Sequence, residues 1–124
     1  MADPVGKVLS AKDILSASDQ KREKVDVPEW GGAVYISSLS AATRDAYEGS
    51  LVRMNGKEVE MATANARAKL LALTLVDEAG ARLFTDAQIE ALGGKNGEIV
   101  DRLYKVAQRL SGMTPESVKT LAKN

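Results

Sequence analysis

The chain of 124 residues contains no cysteine and no histidine, and these absences exclude many common catalytic and metal-binding chemistries. Without cysteine there can be no disulfide, no thiolate metal ligand and no cysteine nucleophile, a pattern compatible with a reducing compartment. Without histidine the chain lacks the commonest general base and the commonest metal ligand. Any catalysis would therefore depend on carboxylates, lysines or tyrosines alone.

Aromatic residues and net charge are also scarce. The chain has one Trp, one Phe and three Tyr, so its core must be built mainly from Ala, Leu, Val and Met, a composition that favours helix packing. Lys plus Arg and Asp plus Glu both number 17, so no overall field attracts nucleic acid or anionic lipid. A net charge of zero also weakens self-repulsion, which favours homo-oligomers.

Long hydrophobic runs are missing as well. No stretch approaches the roughly 20 apolar residues that span a bilayer, and the first residues lack the apolar run of a signal peptide. We therefore expect a soluble intracellular protein. Its length suits one domain, for which we expect a flexible arm over residues 1–9 and a single domain over residues 10–124.

A short helix and a β-hairpin are predicted near the N-terminus. Ser10 caps the helix, whose apolar edge carries Ile14 and Leu15. Apolar residues then alternate with polar ones on both sides of a turn at Pro28–Gly32, which predicts two antiparallel strands preceded by a solvated connector over residues 18–24. Because an isolated two-stranded ribbon is only marginally stable, this hairpin must pack on helices or pair with another strand.

Helical spacing dominates the rest of the chain. It predicts helices over residues 40–53, 62–76, 85–93 and 96–110, and a last helix that begins at Thr114-Pro115. Residues 82–84 can add a short extended piece to the hairpin. The predicted fold is therefore a mostly helical α+β single domain, in which an N-terminal β-hairpin is followed by four to five helices.

The segment around Asn55-Gly56 leaves two alternatives open. This dipeptide, flanked by alternating residues, is the strongest short hairpin signal in the chain. The other alternative is a helix followed by a mobile loop. We prefer the second because the charged residues of 57–60 leave little apolar face to bury.

Short motifs that resemble reactive sites lack the residues which the chemistry requires. A calcium loop starting at Asp77 would have Ala79 and Ala81 at ligand positions. In a phosphate loop at residues 93–95, Asn96 would replace the Ser or Thr that holds magnesium. We therefore predict no catalytic, cofactor-binding or metal-binding residue and no cofactor.

Trp30 and the methionines have two interpretations each. Trp30 is either a lid on the core or an exposed anchor for a partner. Met54, Met61 and Met113 are either adaptable partner contacts or fillers of gaps in the core, and we prefer packing.

Four segments resemble the tail assembly chaperones of long-tailed bacteriophages. They are the PEWGG hairpin, the S-x-x-x-RDAYE helix, the NARAKLLALTLVDE to RLFTD segment and the VDRLYKVAQRLSG helix. The resemblance implies a non-catalytic phage or prophage protein of the host cytoplasm, absent from the mature virion, which coats the tape measure protein and helps recruit tail tube subunits. In many such families a ribosomal frameshift also produces a longer form, which would be a further partner.

We expect partner binding on the hairpin edge and on the apolar sides of the first and last helices. The expected partner-binding residues are Ile14, Leu15, Trp30, Tyr35, Val118 and Leu121. Strand addition and helix exchange are both physically available there, and weak repeated contacts suit a protein that must release its client. The alternatives are a DNA-binding or regulatory module, against which the even charge balance argues, and a structural tail adaptor subunit.

Overall fold

The computed structural model describes residues 6–61 and 64–113, and it is an α+β single domain, as predicted. Within these residues a three-stranded antiparallel sheet has the order β1-β2-β5, and β3 and β4 form a separate hairpin. The strands are β1 (Arg22–Val27), β2 (Gly32–Ser37), β3 (Val52–Asn55), β4 (Glu58–Met61) and β5 (Leu75–Val76). The helices are α1 (Ala11–Ser16), α2 (Ala41–Ser50), α3 (Ala66–Thr74), α4 (Ile89–Gly93) and α5 (Gly97–Leu110).

The α1 helix begins at the predicted cap. The amide of Asp13 donates to Ser10 Oγ at 3.1 Å, and the amide of Ser10 donates to Asp13 Oδ2 at 3.0 Å. These hydrogen bonds satisfy two amides that the first turn would otherwise leave unpaired, and the bond from the Ser10 amide is the main reason why the pKa of Asp13 is lowered. None of the α1 residues is buried, so local capping rather than packing defines this helix.

The β1–β2 hairpin is confirmed, with a register that runs from Arg22 opposite Ser37 to Val27 opposite Gly32. Strand β1 begins within the segment predicted as a connector, so the prediction for residues 18–24 was wrong at its C-terminal end. The reason is that pairing continues beyond the apolar residues: the amide of Ser38 donates to the Lys21 carbonyl oxygen at 2.8 Å. A 3-10 turn over Pro28–Trp30 links the two strands.

The third strand of the sheet, β5, replaces the end of a predicted helix. Helix α3 ends at Thr74, and Leu75 and Val76 pair with Ile36 and Tyr35 of β2. The free edge of β2 offers these two residues a ladder of backbone hydrogen bonds, which overrides the helical periodicity. Of the predicted extended piece at residues 82–84, only Arg82 forms a bridge, to Val76.

The hairpin alternative at Asn55-Gly56 is correct. The helix before it is confirmed, although it ends earlier than predicted, and the preferred mobile loop was wrong. Helix α2 ends at Ser50, and the buried side chain of Leu51 anchors the chain before β3. Strands β3 and β4 then pair around a two-residue loop whose first residue, Gly56, has φ +67°. Glycine adopts this backbone conformation without steric penalty, so the turn chemistry decides the structure although the ribbon has little apolar surface to bury.

The core lies between the sheet and the helices α3 and α5. Val27 and Ile36 contribute from the inner face of the sheet, and Leu70, Leu71 and Leu103 from the two helices, all fully buried. Asn96 caps α5, as predicted, by accepting hydrogen bonds from the amides of residues 98 and 99. The predicted helix at Thr114-Pro115 lies outside the described residues.

Two glutamates of the hairpin hold α5 against the sheet. Arg102 donates to Glu29 at 2.9 and 3.0 Å, and Arg109 donates to Glu23 at 2.9 and 3.0 Å. The i,i+4 spacing along α5 favours an ion pair between Arg102 and Glu98, but the Arg102 guanidinium binds the carboxylate of Glu29 instead. A planar guanidinium can bind a carboxylate through two parallel hydrogen bonds, a geometry more favourable than a single contact along the helix.

Candidate protein-binding surfaces

Most of the exposed large apolar side chains lie near the N-terminus. Four of the six such residues in the described chain fall within eight positions: Val8, Leu9, Ile14 and Leu15, which we call the N-terminal apolar segment. Val8 is 95% exposed and Leu15 is 86% exposed. Scattered exposed apolar residues need no explanation, but four within eight positions, two of them on a helix that buries none of its residues, are typical of an interaction surface.

The outer edge of β1 is a second available surface. The sheet order places β1 at one edge, and no other strand in residues 6–61 and 64–113 pairs with that side of it. Because Lys21 and Ser38 form a hydrogen-bonded pair, the alternation of an antiparallel ladder turns the backbone groups of Arg22, Lys24 and Asp26 outwards. An edge of this kind can pair with a strand from another chain, although charged side chains along it oppose indiscriminate pairing.

Tyr35 lies on the outer face of the sheet. Its ring centre is 4.5 Å from the guanidinium carbon of Arg22, a cation–π contact, and Arg22 also donates to the Glu78 carbonyl oxygen at 2.7 Å. Together with Val76 and Leu83, the tyrosine lines a shallow groove of about 430 Å³. Tyr35 is thus half-buried on this face and packed against Arg22.

Trp30 lies in the 3-10 turn after β1 and combines the two interpretations of its role. Its half-buried ring packs against the core, and it also lines a groove of about 560 Å³. The remaining lining residues are Glu29, Phe84, Ala91, Leu92 and Lys95, and we call this surface the Trp30 groove. Leu92 is buried, while the ring of Phe84 is half-buried.

The two charged residues of the Trp30 groove have different partners. The carboxylate of Glu29 accepts both hydrogen bonds from Arg102, and these bonds are the main reason why the pKa of Glu29 is lowered. The ammonium nitrogen of Lys95 lies 5.7 Å from the ring centre of Trp30. No ion pair among the described residues includes Lys95. The groove therefore carries one uncompensated positive charge next to an aromatic surface.

The structure distributes the expected partner-binding residues over separate surfaces. Ile14 and Leu15 belong to the N-terminal apolar segment, Trp30 to its own groove and Tyr35 to the groove on the sheet face. Val118 and Leu121 lie outside the described residues. Sequence reasoning missed Phe84 and Lys95, which only the tertiary fold brings to Trp30. The scarcity of aromatic residues was the one available signal for Phe84.

The methionines divide between the two interpretations given above. Met113 is buried in the core, as preferred, whereas Met54 on β3 is 63% exposed and contradicts the packing interpretation. Met54 lies in the two-stranded β3–β4 sheet, which is separate from the three-stranded sheet. For Met61 the structure describes the backbone but not the side chain.

The motifs that resemble reactive sites have structural roles. Asp77 Oδ1 accepts hydrogen bonds from the amides of Ala79 and Ala81, both at 2.9 Å, and so stabilises the turn at Gly80. The residues after Gly93 form the cap of α5. In the described part of the chain there is no cluster of side chains suited to a metal ion, and no helix there has the length and apolarity to cross a bilayer.

Comparison with known proteins agrees with the resemblance noted in the sequence. The sequence model of a family described as phage tail assembly chaperone matches residues 11–124. Among solved structures, the tail assembly chaperone of bacteriophage HK97 matches with a TM-score of 0.57 and 20% identity, covering 83% of this chain and 94% of that one, which indicates a shared fold. The chain has no significant match among curated proteins. Because the family match spans nearly the whole sequence, the chain belongs to the phage tail assembly chaperone family.

Proposed function

We propose that this protein coats the tape measure protein during tail assembly, helps recruit tail tube subunits and leaves before the virion is complete. Family membership supports a role in the assembly of phage tails inside the host cell, with tail proteins as partners. The observation that carries the proposal is the N-terminal apolar segment, four exposed apolar side chains on a stretch whose helix buries none of its own residues.

The apolar segment supplies a modest binding energy per subunit. Full burial of a Leu or Ile side chain contributes about 1.5–3 kcal/mol, and Ile14 and Leu15 are adjacent on α1. Part of this gain is lost to ordering of the helix and the client, so each contact is weak. Many linked copies would together bind one long helical client tightly, because avidity multiplies their weak contacts. A tube subunit could still displace one copy at a time. This combination suits a coat that tube subunits replace.

The open β1 edge supports contacts between copies of the protein. Addition of a strand to an exposed edge uses backbone hydrogen bonds and needs no particular side chain. The zero net charge weakens electrostatic repulsion between subunits. We therefore propose a homo-oligomer in the coat, which can also incorporate a longer frameshifted form with the same N-terminal fold.

Co-purification with a tape measure fragment tests the proposal. The wild-type chain should retain the fragment, and the double variant Ile14→Ser/Leu15→Ser should retain several-fold less. Met54→Ser is the matched control, because it also removes an exposed apolar side chain, but from the β3–β4 hairpin. Failure of the wild-type chain to retain any fragment, or equal retention by all three proteins, would contradict the proposal.

Analysis of purified virions provides a second test. A protein that leaves the tail before completion should be absent from virions, while lysates of infected cells should contain it. Its presence in virions at a fixed ratio to tail tube subunits would instead indicate a structural adaptor subunit.

A further inference from the structure

The Trp30 groove concentrates the rare aromatic residues of this protein. Trp30 and Phe84 are the only Trp and the only Phe in the chain, they are far apart in sequence, and both line this groove. Both rings are only half-buried, and the buried side chain of Leu92 also lines the groove. Such a concave apolar surface can bury one large apolar side chain of a partner, and Trp is enriched at the centres of protein interfaces.

The charge of the groove selects among possible occupants. Arg102 neutralises the Glu29 carboxylate through two hydrogen bonds, whereas Lys95 has no acidic partner in the described structure. A carboxylate that approaches the rim would thus meet an available ammonium group without breaking an existing ion pair. A cationic group would meet repulsion there.

The protein's own exposed apolar segment is a poor occupant. Residues 7–16, which contain that segment, carry Lys7 and Lys12 against one acid, Asp13. Asp13 is already engaged, because it caps α1 and lies 3.8 Å from the ammonium of Lys7. A second copy that inserted α1 into the groove would bring a net positive segment to Lys95. Charge complementarity therefore favours a partner other than this chain.

We propose that the Trp30 groove is a docking site for an acidic amphipathic helix of a tail protein. An apolar side chain of that helix lies between Trp30 and Phe84, and a Glu or Asp one turn away pairs with Lys95. The recognition mode is a helix in a groove, with specificity set by one charge. This inference rests on the proposed function for the nature of the partner, but it concerns a different surface from α1.

The sole tryptophan makes the groove directly observable. The full chain can be titrated with two synthetic amphipathic helical peptides that share the same leucines and differ only in having glutamates or lysines beside them. The glutamate peptide should give a saturable change in Trp30 fluorescence, with an affinity at least about tenfold higher than that of the lysine peptide. The preference should weaken as salt is raised.

Charge reversal at the rim supplies the decisive variant. Lys95→Glu should invert the preference between the peptides, and Lys95→Gln should abolish it. Lys57→Glu is the matched control, since it makes the same change in net charge at an exposed position of the β3–β4 turn that does not line the groove, and it should leave the preference intact. Circular dichroism of each variant confirms that it is folded before the titration.

Several outcomes would overturn the inference. Equal binding of the two peptides, or the same preference in the Lys95→Glu variant, would contradict the role of Lys95. A Trp30 fluorescence that does not change on titration would show that neither peptide enters the groove. A fluorescence that changes with protein concentration alone would assign the groove to a second copy of the chain. The co-purification test separates this failure from failure of the proposed function. If the wild-type chain retains the tape measure fragment but shows no peptide preference, only the groove assignment is wrong.

Discussion

Arg102 donates two hydrogen bonds to the carboxylate of Glu29 and so joins the longest helix of the described chain to the turn between β1 and β2. The residues are 73 positions apart, and the neighbouring pair of Arg109 and Glu23 spans 86 positions. Both pairs are partly exposed, so water screens them and their contribution to stability is modest. Both pairs link α5 to the β1–β2 hairpin, and the Glu29 pair lies at the Trp30 groove.

Glu29→Gln should change how the stability of the protein depends on pH. The Arg102 hydrogen bonds lower the pKa of Glu29 below its ordinary value of 4.5. Because the folded pKa is lower than the unfolded one, the ionised carboxylate stabilises the fold above about pH 4.5, and this contribution is lost as the pH falls through the folded pKa. Urea midpoints should therefore differ between wild type and Glu29→Gln at pH 7 and converge in acid.

An Arg102→Gln background provides the control for this pH dependence. Without the guanidinium, replacing Glu29 should no longer produce a difference that varies with pH. A difference that persists in this background would assign the effect to another group.

Tyr47→Phe should destabilise the fold by about 1 kcal/mol. The Tyr47 side chain is buried, and its hydroxyl donates to the Ala66 carbonyl oxygen at 3.0 Å, where it joins α2 to the start of α3. Burial, the largest cause, raises the pKa of this hydroxyl, so it remains protonated and can donate across the physiological range. Denaturant unfolding followed by circular dichroism measures the loss.

Tyr35→Phe is the matched control for the hydroxyl. No hydrogen bond of the Tyr35 side chain occurs in the described structure, so its substitution should change the free energy of unfolding by no more than about 0.5 kcal/mol. Equal effects of the two substitutions would show that the bond to Ala66 contributes nothing.

Gly31→Ala and Gly32→Ala should differ although the residues are adjacent. Gly31 has φ +82° at the end of the turn, a conformation that costs a residue with a Cβ about 1–2 kcal/mol, while Gly32 lies in β2 without a positive φ. An added Cβ meets nothing within 4 Å at either position, so the comparison isolates backbone conformation. Gly31→Ala should lower the free energy of unfolding, and Gly32→Ala should leave it unchanged or slightly raised. Equal effects would contradict the assigned turn.

Ile14→Ser/Leu15→Ser should leave stability within about 0.5 kcal/mol of wild type, since both side chains are exposed and α1 buries no residue. Leu71→Ala, at a fully buried position of α3, should by contrast lose about 2–5 kcal/mol. Thermal and urea unfolding measure both. A strongly destabilised double variant would mean that α1 packs on the fold and is not available to a client.

The features that sequence reasoning predicted are those whose physical causes are local. The caps at Ser10 and Asn96 follow from side chains that reach amides within three residues, and the β1–β2 hairpin follows from strict alternation around a Pro and Gly turn. At Asn55-Gly56 the turn signal was correct, and the error came from requiring a buried apolar face.

The candidate surfaces were only partly predictable. Ile14 and Leu15 were recognisable as the apolar edge of a short helix, and Trp30 was recognisable by its rarity. The Trp30 groove was not predictable, because Phe84 precedes α4 and Lys95 follows it, and only the packing of this region brings them to Trp30. Nothing in their local sequence marks them as neighbours of the hairpin.

By itself, the sequence determined the absence of thiol and imidazole chemistry, the caps, the first hairpin and membership of the family. Only the tertiary structure decided that Leu75 and Val76 extend the sheet, that Arg102 binds Glu29 rather than Glu98, and that Trp30 and Phe84 share a groove. The division has a physical reason. Capping and turn energies depend on atoms a few residues apart, whereas strand addition, ion-pair choice and groove formation depend on which distant surfaces are brought within contact distance.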